Sequence, residues 1–222
     1  MVIFQYIYYF FRSLYYRGFR NTYKLLQHEA TDEKKLNINT NRIINIQQLS
    51  LAGKFSREYH PYQGASYYVL FSLFNKLSAT LKNTTFIDFG CGKGRALFVA
   101  EQCGFTNLIG VDIAQELIDG AKENVIVYKQ KQPQSQFEFV FSDATTYYIP
   151  KEACVFYFFN PFGESILTKV LGNIKLSVKQ YPRDIVCLYL NPKYKQAFEE
   201  NGFSIVFEEK HKRYTEAIVY KL

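Results

Sequence analysis

Residues 87–94, IDFGCGKG, set one acid, Asp88, before three glycines, Gly90, Gly92 and Gly94, at every second position. Glycine lets a backbone turn tightly and approach a bound group with no Cβ in the way. The free N–H groups of a helix that begins at such a turn favour a negative group. Two more acids, Asp112 and Asp143, end later apolar runs, and FFNPFG sets Asn160, Pro161 and Phe162 behind a fourth. Asn160 and the Pro161 carbonyl could take hydrogen bonds from an amine, and Phe162 could stack on a planar or cationic group. The same residue types also build a plain strand-to-helix turn, and Asp143 suits a strand-end turn equally well.

Three nucleotide chemistries compete for the glycine stretch. A phosphate-binding loop requires G-x-x-x-x-G-K-[ST], which is missing here. A dinucleotide loop requires G-x-G-x-x-G, and Arg95 fills its last position with a side chain that would obstruct helix–strand packing. The third pattern, G-x-G-x-G after an acid, fits Gly90, Gly92 and Gly94.

These residues need a scaffold to bring them together. Apolar runs predict strands at 85–90, 107–112, 137–143, 153–160 and 184–190, with helices at 94–104, 114–128, 164–178 and 192–202. Nearly all-apolar strands alternating with helices mean an α/β fold with a parallel sheet covered on both faces. Two last strands, 203–209 and 214–222, are joined by the charged turn KHKR and should pair antiparallel. Residues 1–30 read as helix, 31–60 as a polar connection and 60–81 as helical. The expected division is a helical cap over 1–60 and one domain over 61–222. In an open parallel sheet, ligands sit at the carboxyl ends of the strands near the switch point.

The ordered motifs resemble those of the class I methyltransferases that use S-adenosylmethionine. IDFGCGKG is similar to their first motif, and IGVDIAQELIDGAKEN to their second, with Asp112 ending a strand and Ala121 and Asn124 in the following helix. FSDATTY and FYFFNPFG fall where the third and fourth belong. The resemblance covers 85 to about 222. It implies a Rossmann-like, doubly wound, mostly parallel seven-stranded sheet with a C-terminal antiparallel hairpin. It implies S-adenosylmethionine as cofactor, with Asp112 on the ribose hydroxyls, Asp88 and the Gly90–Gly94 backbone at the amino-acid end, and Asp143 and Ala144 at the adenine. Cys91, Ile113, Asn160 and Tyr62 complete the implied cofactor set; Cys91 belongs to the turn, and no chemistry is assigned to its thiol or to Lys93. Asn160, Pro161 and Phe162 form the implied acceptor side. Relatives acting on amino groups of bases or glutamine carry N-P-P-[YF]; the single proline here weakens those acceptors and leaves protein lysine open. HPYQGASYY, with Tyr62, Gln63 and Ser66, falls where relatives cover the cofactor.

Composition narrows the partners. The chain has 222 residues, a formal net charge of +7, 19 Tyr, 21 Phe and no Trp. A basic chain leans towards an acidic or nucleic-acid partner, though a solvated basic surface explains as much. The favoured acceptor is a nitrogen of a protein lysine or an RNA, with a small molecule or a non-catalytic binding module as alternatives. Four scattered cysteines fit a reduced, cytoplasmic setting, and three scattered histidines give no metal cluster. The uncharged start ends at Arg12, short of the ~20 residues of a spanning helix, so no membrane insertion is expected. An aromatic, arginine-dotted helix over 1–20 either packs on its own domain or touches a membrane surface. Nothing in the sequence sets the oligomeric state.

Overall fold

The computed structural model describes residues 2–41, 43, 44, 49, 58–131, 134–212 and 214–222, with 2–9 described by backbone alone. The strands are β1 (Thr85–Phe89), β2 (Asn107–Asp112), β3 (Gln136–Phe141), β4 (Ala153–Phe158), β5 (Val186–Leu190), β6 (Ser204–His211) and β7 (Tyr214–Lys221). They form one sheet in the order β3-β2-β1-β4-β5-β7-β6. The first five run parallel, while β7 pairs antiparallel with both β5 and β6. The order turns back between β1 and β4, which places the switch point beside the glycine stretch.

The helices are α1 (Val2–Leu36), α2 (Tyr67–Phe74), α3 (Ala79–Lys82), α4 (Arg95–Gln102), α5 (Gln115–Val127), α6 (Glu164–Gln180) and α7 (Lys195–Glu200). Every residue of β1 and of β5 is buried, because helices cover both faces of the sheet centre. Alternate side chains feed two cores. Phe86, Tyr157, Leu97, Phe98, Leu70 and Phe74 pack on one face. Ile87, Phe89, Phe156, Phe158, Leu167 and Phe198 pack on the other. Asp88 lies between Ile87 and Phe89 and shares its face with Phe86, since side chains alternate along a strand.

The N-terminal region departs from expectation. The helix runs to Leu36 and bends at Gly18, whose φ of 76 breaks the helical path. Apolar packing was expected to seat it. Among its residues with described side chains the buried positions are mostly polar, Ser13, Thr22 and Asp32 beside Leu36, while Phe11, Tyr15, Phe19 and Tyr23 are 60%, 64%, 75% and 59% exposed. Among the described residues no helix is long and apolar enough to cross a membrane.

What seats this region is Arg95. Its guanidinium is buried, with Nε donating to Thr40 Oγ1 at 2.8 Å and Nη1 to Glu29 Oε2 at 3.1 Å and to the Ala65 carbonyl at 2.9 Å. Nη2 donates to Asn41 Oδ1 and faces Glu33 at 3.8 Å, and the carbon centre lies 4.3 Å from the Tyr67 ring centroid. Gly64 allows this approach, since a Cβ there would stand 2.5 Å from Arg95 Cζ. Asn124 adds a second tie, accepting from Asn39 N at 2.8 Å and donating to the Lys93 carbonyl at 3.1 Å.

Removing one member of a buried charge network leaves its partners unpaired at about 3–5 kcal/mol. Arg95→Met should therefore lower the unfolding free energy by about that amount and speed proteolysis within residues 1–41. Denaturant melts beside limited proteolysis check both; an unchanged melt would deny Arg95 this role.

Candidate active site

The turn after β1 is folded onto the end of β2. Gly90 N and Cys91 N both donate to the Val111 carbonyl, at 2.8 and 3.2 Å. Gly92 N donates to Asp112 Oδ2 at 2.8 Å, and Ala114 N to Asp112 Oδ1 at 2.9 Å. One carboxylate thus joins the glycine turn to the start of α5. Gly90 and Gly92 have φ of 78 and 54, and a Cβ on them would lie 2.2 Å from Pro161 Cβ and 2.1 Å from the Tyr62 ring. No other residue fits either position.

Asp88 is 3% exposed. No hydrogen-bond donor among the described residues reaches it. Burial, and then the Asp112 charge, push its carboxyl well above the usual range. Burial also raises Asp112, against the backbone N–H groups that it accepts from. Two neighbouring acids with no cation of their own among the described residues describe a site short of positive charge. The Cys91 thiol is buried and pushed up by burial and by both acids, so it is no nucleophile.

A strap covers the turn. Tyr59 bridges Phe162, and Tyr62 bridges Ile44. The Tyr62 hydroxyl donates to the Thr40 carbonyl at 2.9 Å. Gly163 N donates to the Glu58 carbonyl at 2.6 Å, and Ser165 Oγ donates to the Glu58 carboxylate at 2.6 and 2.7 Å. Between strap and strand ends lies a cleft of about 90 Å³. Of the sequence candidates, Gly90, Asp112, Ile113, Asp143, Ala144, Tyr62, Asn160, Pro161 and Phe162 line it. Asp88, Cys91, Gly92 and Gly94 are not part of that lining. Asp143 Oδ1 accepts from both Thr145 N and Thr145 Oγ1, so it holds its own turn while facing the cleft.

The Asn160 side chain is engaged inside the protein. Its Nδ2 donates to the Asn191 carbonyl at 2.5 Å and its Oδ1 accepts from the Tyr189 hydroxyl at 2.8 Å. With φ of 43, it shapes the turn between β4 and α6. Phe162 is 4% exposed and packs edge-on to Phe158.

His60 was not singled out by the sequence, although it stands in the covering stretch HPYQ. It lines the cleft, and its Nε2 is buried without a hydrogen-bond partner. Burial, and then Lys193, lower its pKa from the ordinary 6.5. A second cleft of about 340 Å³ adjoins the first, sharing Gln63 and Phe159, and lies between α1 and the strand ends. Ser66 lines this second cleft and not the first. His211 does meet two carboxylates, Glu209 and Glu216, within 4.8 Å. Arg17 already holds Glu216 and Lys76 holds Glu209, so both acids are neutralised.

A family model described as a methyltransferase domain matches residues 62–208. Among solved structures, a Pyrococcus abyssi tRNA (uracil-54, C5)-methyltransferase in complex with S-adenosyl-L-homocysteine is 16% identical, with a TM-score of 0.53, covering 72% of this chain and 40% of that one. A candidate RNA methyltransferase of Pyrococcus horikoshii is 18% identical, with a TM-score of 0.52, covering 86% and 95%. A Synechocystis magnesium protoporphyrin IX methyltransferase with bound S-adenosylmethionine is 17% identical, with a TM-score of 0.49, covering 70% and 78%. At such identities the likeness is one of fold. No curated protein matches the chain.

The neutral form of His60 is favoured in the fold, so its protonation costs stability as pH falls through the ordinary value of 6.5. Its ring resonances should titrate below that value, and Lys193→Ala should move the midpoint upward. A midpoint at or above 6.5 in an NMR titration would contradict this.

Proposed function

The chain belongs to the methyltransferase-domain family and is an S-adenosylmethionine-dependent methyltransferase; on that premise we propose that it methylates an N–H or O–H group of a small acceptor held in the second cleft. The residues fit the cofactor chemically. The carrying observation is the Asp88 carboxyl, buried without a donor among the described residues beside a glycine turn that any Cβ would fill. A ligand with an ammonium at one end and a ribose at the other answers both acids: the ammonium at Asp88, the ribose hydroxyls at Asp112. Ala144 and Asp143 take the base edge. When bound, the cofactor supplies a methyl group activated on a sulfonium.

The chain's own work is alignment and exclusion of water. Tyr62 and Pro161 stand over the glycines, so a nucleoside-sized ligand displaces the strap on entry. The cleft holds about 90 Å³, below the ~300 Å³ of ordinary ligand pockets. Asn160 positions the β4–α6 turn, since its amide is already bonded to Tyr189 and Asn191. His60 Nε2 offers the acceptor a buried lone pair and receives its proton. Gln63 and Phe159 form the passage between the clefts.

The division into a cap over 1–60 and a catalytic domain over 61–222 goes with this reading, as does a cytoplasmic setting. One observation favours a protein lysine or RNA acceptor instead. The outward Phe11, Tyr15 and Phe19 lie on the same helix as exposed Arg20, and aromatic-basic surfaces suit macromolecules.

Calorimetry with S-adenosylmethionine and with NAD separates the readings. The wild type should bind the former and leave NAD unbound. Asp112→Ala should weaken binding by about 10–100-fold, the worth of charge-assisted hydrogen bonds. Equal binding by wild type and variant would remove Asp112 from the site.

A further inference from the structure

The second cleft carries a charge that no acid among the described residues answers. Five ionic side chains line it: Arg12, Arg17, Arg95, Glu29 and Glu216. Four are matched. Arg95 donates to Glu29, and Arg17 donates to Glu216 through both Nε and Nη2. Arg12 remains. Among the described residues it makes no ion pair, and its guanidinium lies 5.1 Å from the Tyr214 ring centroid. The residues outside the described set include no acid, and the first acid of the chain is Glu29. No other carboxylate of the protein is therefore left to come to Arg12 from those segments.

The surroundings hold this guanidinium for a ligand. The Tyr214 ring also receives Arg17, 5.3 Å from its centroid, and the Tyr214 hydroxyl donates to Asn191 Oδ1 at 3.2 Å. An arginine laid on an aromatic face keeps the donors at its edge, a planar fork that matches a carboxylate. Asn191 and Gln63 add polar groups, and Phe159 adds an apolar wall. A volume of about 340 Å³ suits a small organic molecule.

We propose that the second cleft is an acceptor site for small carboxylates, with Arg12 binding the carboxylate and the nucleophilic end reaching past Gln63 and Phe159 towards His60. This rests on the methyltransferase reading and adds the substrate class. In the transfer, the acceptor heteroatom bonds to the methyl carbon and the carbon–sulfur bond breaks, its electron pair remaining on sulfur. The acceptor proton passes to His60 Nε2 and then to water.

The test uses the full chain with S-adenosylhomocysteine present. Ligand-observed NMR compares 4-aminobenzoate with 4-aminobenzamide, within a panel of small carboxylic acids each paired with its amide. At least one acid should bind about ten-fold tighter than its amide, as a charge-assisted pair would give. Arg12→Gln should abolish that preference and leave S-adenosylhomocysteine affinity unchanged. Arg12→Lys should keep part of it, which guards against a misfolded glutamine variant. Equal binding of every acid and amide, no binding by any acid, or a preference that survives Arg12→Gln would each overturn the proposal. So would displacement of bound acids by a short oligouridine, which would hand the cleft to RNA. If S-adenosylhomocysteine itself fails to bind, the methyltransferase reading falls, while the same titrations without it still decide the carboxylate site.

Discussion

One desolvated guanidinium organises this protein. Burying a cation costs several kcal/mol unless its donors are met. Arg95 meets that demand only by drawing in Glu29 from α1, Thr40 and Asn41 from the connection, and the Ala65 carbonyl from the approach to α2. Arg95 is also the first residue of α4, directly after the glycine turn. The cap, the strap and the ligand loop therefore share one electrostatic joint.

The glycine turn shows a second balance, between charge and burial. Asp112 spends both carboxylate oxygens on backbone N–H groups and so fixes the turn. Among the described residues Asp88 has no such compensation, and burial drives its carboxyl upward. A fold that keeps an unanswered acid in its centre keeps a place for a cation. The strap completes the arrangement: the same glycines that would admit a ligand lie against Tyr62 and Pro161.

Much of the fold was legible in the residues. The five parallel strands and the closing hairpin follow from runs such as TFIDF and VCLYL, which are buried on both faces. Of the site, Asp112, Asp143, Ala144 and Tyr62, each named from a motif, line the cleft. Asn160 was harder to read, because its role depends on Tyr189 and Asn191, about thirty positions away. His60 carried no local signal, since a histidine becomes notable only when its ring is buried without a partner. Arg95 was visible as a misfit in a dinucleotide loop, but bulk alone could not reveal a partner in a distant helix.

The sequence by itself determined the alternation of strands and helices, the glycine turn beside an acid, and hence the fold and cofactor class. These are local properties, set by side-chain period and by backbone freedom at glycine. Tertiary structure decided the rest: which side of α1 faces inward, that Asn160 supports the turn with its amide, and that two clefts meet at Gln63 and Phe159. Those outcomes depend on contacts between residues far apart in the chain, where the matching of buried charges and hydrogen bonds outweighs local preference.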